Sequence, residues 1–197
     1  VRQEKGLVKP NEILHSGAGS NWEMFDKDFK TFQRLPKVPS SDYCFFHSDK
    51  ETICVEKYNA DAKSWTMINR MHKARKFSSG CFLRGNFFVL GGRDENDKHL
   101  TCGESYNETT NSWELIPDML KDMTFITPSQ SPPLIAVVDD NLYMLETSLN
   151  ELRVYDINTN IWKKLSVVPV RANTTFGWGT AFKSMGDRVL VVGSSHS

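Results

Sequence analysis

The chain has no charge of one sign to spare. Its 24 lysines and arginines balance 24 aspartates and glutamates, so no whole-molecule field points to nucleic acid or to an anionic membrane. No apolar run approaches the roughly 20 residues of a membrane span, and helical periodicity does not appear. Cysteine is sparse: Cys44, Cys54, Cys81 and Cys102 form no C-x-x-C pair, which favours free thiols over a disulfide framework and a cytoplasmic or nuclear home. His15, His47, His72, His99 and His196 are scattered without metal-ligand spacing, so neither a metal nor a cofactor is expected. Asp94-Glu95-Asn96-Asp97 lacks EF-hand spacing, and Gly91-Gly92 lacks the spacing of a phosphate loop. No nucleophile elbow singles out a triad, so no catalytic residue is assigned. The two N-x-T stretches, Asn107 to Thr109 and Asn173 to Thr175, read as turn chemistry. The opening VRQEKG has neither an apolar signal region nor an initiating methionine, so the chain is expected to begin inside a longer protein.

What is present is a repeated four-stranded unit, clearest from Ser78 to Pro117. An alternating run, Gly80 to Leu83, meets the turn Arg84-Gly85-Asn86 and then the apolar run Phe87 to Leu90, the pattern of a tight hairpin. Gly91-Gly92 ends it. A polar loop, Arg93 to His99, leads to a third strand ending at Tyr106, and a turn leads to a fourth carrying Trp113. Two aromatics seven residues apart recur as Phe25/Phe32, Tyr58/Trp65, Tyr106/Trp113 and Tyr155/Trp162, and the last three first members stand 48 and 49 residues apart. That period suits the blade of a propeller, whose sheets bury their faces against neighbours of the same kind.

Leu90-Gly91-Gly92, then Tyr106-Asn107, then Trp113 with Pro117 and Met119, resembles the kelch repeat. SSGCFLRGNFFVLGG, LTCGESYN, SQSPPLIAVV and GWGTAFKSMGDRVLVVG are similar more narrowly to the plant F-box/kelch-repeat proteins, across nearly all of residues 22 to 195. The resemblance implies an all-β kelch-type propeller of four-stranded antiparallel blades. It also implies a protein-binding role, as the substrate-recognition part of an F-box/kelch subunit of a cullin-type ubiquitin ligase. The ligase adaptor would be reached only through an F-box, which is not visible here. A kelch enzyme or metal-assisted specifier protein, and a kelch scaffold independent of ubiquitin, are the alternatives.

Taken in order, residues 1–21 are polar and glycine-containing and read as a linker; the propeller occupies 22–195. Residues 22–35 supply a third and fourth strand, and 180–193 a first and second, so the two ends are expected to close a ring in one shared blade and remove two exposed edges. Residues 42–65 form a damaged blade in which Glu51 to Val55 runs into Glu56 to Tyr58 without a glycine pair. Phe25 and Tyr58 are only 33 apart, so an internal shortening of about sixty residues is expected near Val55/Glu56, leaving about four blades. Blades at 78–117 and 133–165 are complete, although Leu145-Glu146 replaces the glycine pair in the second.

Trp65, Trp113 and Trp162 fall at one repeat position and read as core between blades. The segments just before the first strands converge on one face of a propeller, where binding concentrates. By resemblance that face grips a protein partner, with Arg75, Lys76, Phe77 and Ser78 from one segment. Gln130 and Ser131 come from the next, and Arg171, Asn173 and Thr174 from the last. Arg93 and Asn150 join from the loops between second and third strands. The competing reading takes Arg70, Lys73, Arg75 and Lys76 as a solvated basic run; alanine at Arg75 and Arg171 separates the two.

Overall fold

The structure, a computed structural model, describes residues 55–59, 62–124, 131–169 and 180–193, and the backbone of three strands within 12–34. It divides into two compact units, Val1–Met71 and His72–Ser197. Every strand pair is antiparallel. The first unit holds β1 (Glu12–Ser16), β2 (Trp22–Asp26) and β3 (Phe32–Arg34) in one sheet, and β4 (Val55–Asn59) with β5 (Ser64–Ile68) in another. The second holds β6 (Ser79–Leu83), β7 (Asn86–Leu90), β8 (Gly103–Asn107) and β9 (Ser112–Ile116) as one four-stranded meander. A second meander follows: β10 (Leu134–Val138), β11 (Asn141–Glu146), β12 (Glu151–Asp156) and β13 (Ile161–Val167). Then β14 (Ala181–Met185) pairs with β15 (Arg188–Val192).

The aromatic pairs are cross-strand neighbours in all four copies, since Phe25, Tyr58, Tyr106 and Tyr155 stand opposite Phe32, Trp65, Trp113 and Trp162. In the two complete blades the ring centroids lie 5.1 Å apart, and each tyrosine hydroxyl donates to the asparagine that ends the turn, Asn111 or Asn160. The seven-residue spacing is thus a hairpin whose turn is tied to its own first aromatic. Hairpins β6–β7 and β10–β11 turn on Arg84-Gly85 and Asp139-Asp140, all four with positive φ, the conformation that matches strand twist.

The core of the second unit lies between blades. Leu83, Phe88 and Leu90 of the first meander meet Leu142, Met144, Tyr155 and Trp162 of the next, with Met119, Leu120 and Met123 of the connector between them. Trp162 donates its indole N–H to the Met119 carbonyl at 2.9 Å. Ala136 and Leu145 close on Phe182 of the following hairpin. The innermost strands are neighbours, β6 beside β10 and β10 beside β14.

One expectation is changed. The stretch read as a linker contains β1, because its residues find hydrogen-bond partners along β2 that no local period announces. Of the damaged blade, residues 42–54 lie outside the described residues.

Candidate binding face

The segment that enters β6 is fixed by its neighbour loop. Lys76 N–H donates to the Arg93 carbonyl at 2.9 Å and Arg93 N–H returns a bond to the Lys76 carbonyl at 2.8 Å. Gly92 makes this approach possible: its φ is +87°, and a Cβ there would lie 2.7 Å from the Lys76 carbonyl oxygen, a backbone clash that only glycine avoids. Beyond it the loop folds on Asp94, whose Oδ1 accepts from Asn96 N–H and Lys98 N–H, both at 2.9 Å. Loop and entering segment therefore form one rigid ledge at the end of the blade.

Charges on the ledge are matched locally. Lys76 Nζ meets Asp97 Oδ1 at 2.6 Å, and that contact holds the Asp97 carboxyl below the usual carboxylate range. Arg93 donates to the Asp97 carbonyl at 3.4 Å and lies 3.2 Å from His99 Nε2. Burial first, and the Arg93 guanidinium second, hold His99 below the ordinary imidazole value, so the neutral ring can accept from Arg93. In a proton-detected titration His99 will show a midpoint below the ordinary value of about 6.5, and Arg93→Gln will raise it only part of the way, because burial remains. A midpoint at or above the ordinary value would contradict this arrangement. The sign follows: the unfolded ring binds its proton at higher pH, so this contact's stability is full above about pH 6.5 and is lost as pH falls through the folded midpoint.

Arg75 is not on this face. It is 2% exposed, because its guanidinium turns inward to Glu104, with Nη2 to Oε1 at 2.8 Å and Nη1 to the Gly91 and Cys102 carbonyls at 3.0 and 2.8 Å. Glu104 is wholly buried and also accepts from His72 N–H, Lys73 N–H and the His72 ring. It pins the connector that leads into β6. Alanine at Arg75 thus tests stability rather than partner contact. Ser78 is buried as well, at 4% exposure. Asn150 is a clamp, its side-chain amide donating to the Val168 carbonyl while Val168 N–H donates to Asn150. Lys76 and Arg93 are brought together, with Phe77 next to Lys76 in the chain, and Ser131 is half-buried ahead of β10. Gln130, Arg171, Asn173 and Thr174 lie outside the described residues.

The next blade repeats the pin with charges exchanged. Glu146, buried at the end of β11, accepts from Thr124 N–H at 2.9 Å and from Ser148 Oγ at 3.2 Å. It stands in ion contact with Arg153 Nε at 2.7 Å. Arg153 also reaches Glu151, which Lys164 contacts from β13. None of these residues is a site candidate on sequence grounds, yet a signal exists: the position two before each first aromatic is charged in all four copies, Glu23, Glu56, Glu104 and Arg153. In a strand that position shares a face with the aromatic, and a charge on a buried face requires a partner.

Burial pushes the Cys81 thiol up to about 12, which keeps it protonated at neutral pH. Among the described residues no three His, Cys, Asp or Glu converge on a metal position.

The Kelch motif matches residues 74–120, the entering segment and the first complete blade. The F-box/kelch-repeat protein At3g27150 of Arabidopsis thaliana is 46% identical over 263 aligned positions, covering 99% of this chain and 62% of that protein. Its compatriot At1g74510 is 41% identical over 70% of this chain and 34% of its own length. The chain thus spans about three fifths of the first relative. With 197 residues set against 263 aligned positions, at least 66 positions of the alignment have no counterpart here. The solved structure of YjhT superposes with a TM-score of 0.65 at 14% identity, over 97% of this chain and 72% of that one; at that identity the likeness speaks to fold.

Proposed function

This chain belongs to the plant F-box/kelch-repeat family, and from that premise we propose that it is a protein-recognition propeller, the substrate-binding part of a ubiquitin-ligase receptor. The observation that carries the reading is the ledge at the entry of β6, where Lys76, Phe77 and Arg93 are held by paired backbone bonds on a rigid sheet. Loops fixed on a scaffold are the ordinary seat of recognition. The reading is non-catalytic, in keeping with carboxylates and guanidinium groups committed to holding the connectors. A cytoplasmic or nuclear setting accords with the free thiols Cys81 and Cys102. Contact with a ligase adaptor would belong to an F-box elsewhere in the longer protein.

Affinity capture from plant extract, comparing this chain with a full-length F-box-bearing relative, tests the proposal. Shared client proteins on both, with ligase subunits on the longer protein, is the expected result. Chaperones alone on the short chain would defeat the recognition reading, and clients without any ligase subunit on the long one would defeat its ligase part.

A further inference from the structure

We propose, resting on the recognition reading above, that Phe77 is the fixed apolar anchor of this face, and that the partner is a protein that covers its ring with an apolar side chain. Ten non-glycine residues among those described have positive φ; nine are Lys, Arg, Asp or Asn, and the tenth is Phe77 at 57°. Polar residues adopt this conformation in turns at small cost, whereas a bulky aromatic is disfavoured there. Such a conformation persists only where its surroundings over-determine it. Here they do: Lys76 is bonded twice to Arg93 on one side, and Ser78 is buried on the other. The outcome is an aromatic residue 37% exposed on a backbone held from both sides.

An aromatic presented rigidly loses little freedom on binding, and such residues dominate interface energetics. The neighbouring charges have partners within the ledge, Lys76 in an exposed ion pair with Asp97 and Arg93 against His99 and the Asp97 carbonyl. Exposed ion pairs contribute little, so apolar burial at Phe77 is the larger source of affinity at this point. Leu149, half exposed in the turn after β11, lies at the same end of the adjacent blade and offers a second apolar contact.

The full chain carrying Phe77→Ala, Phe77→Asn or Phe77→Tyr would be compared with wild type. Leu115→Ala, at an exposed position on β9, serves as control. Each is melted, used for quantitative capture from plant extract, and titrated with a recombinant form of the protein most enriched by wild type. Capture should fall at least about tenfold for Ala and Asn and persist for Tyr and the control. Phe77→Asn should melt no lower than Phe77→Ala, since asparagine tolerates positive φ. Undiminished binding by folded Ala and Asn variants would overturn the anchor and leave protein recognition standing. Failure of wild type to capture anything but chaperones would bring down the recognition reading and the anchor with it. Loss in the tyrosine variant equal to that in alanine would overturn the apolar cover.

Discussion

Glu104→Leu will destabilise the second unit by about 3–5 kcal/mol, the cost of leaving a buried guanidinium without its counter-charge. Arg75 is as buried as Glu104, and two of its nitrogens face that one carboxylate, at 2.8 and 3.3 Å. Its other oxygen partners, the Gly91 and Cys102 carbonyls, are neutral and do not cancel the charge. Removing both members is the informative contrast. Arg75→Met with Glu104→Leu should recover most of the loss, because an apolar pair of similar volume avoids the desolvation of two ions. Urea unfolding of the three proteins decides the matter. A single-variant loss below about 1 kcal/mol, the range of an exposed ion pair, would mean that water reaches the pair.

Trp162→Ala will cost a similar amount, about 3–5 kcal/mol, from a different source. Trp162 is 6% exposed and packs with residues of two blades and the connector between them. Its truncation opens a cavity between rigid sheets that cannot collapse to fill it. Trp162→Phe preserves most of the ring but strands the Met119 carbonyl, which now accepts the indole N–H; its cost should be about 1–3 kcal/mol. Should phenylalanine prove as costly as alanine, the lost hydrogen bond rather than the packed volume dominates. Should both cost under about 1 kcal/mol, Trp162 is no part of the inter-blade core.

The blades were legible because their signals are local. An aromatic, a polar turn and a second aromatic describe one hairpin, and Tyr106/Trp113 and Tyr155/Trp162 stand where that pattern puts them. Strand β1 was not legible, since its formation depends on pairing with β2 and its own residues carry no sustained alternation. The site was half legible. Lys76, Phe77 and Arg93 follow from the rule that entering segments meet the loops between second and third strands. Arg75 and Lys76 are adjacent and both basic, and nothing local tells which one turns inward. The answer resides in Glu104, 29 residues away, and in carbonyls that only the folded sheet aligns. Glu146 is a like case: standing where the other blade has a glycine, it carries no local sign that it is the buried acceptor for Thr124 and Ser148 and the counter-charge of Arg153.

The exchanged charges of the two pins bear on how such an array can be edited. In one blade the carboxylate rides on the third strand and the guanidinium on the connector; in the next the carboxylate ends the second strand and the guanidinium is on the third. In these buried carboxylate contacts each connector is keyed to the strands that follow it. A recombination event that joins the connector of one repeat to the strands of another would seat two like charges, or a lone one, inside the protein. Gain and loss of repeats is thereby restricted to crossovers that carry a connector and its own blade as one heritable piece.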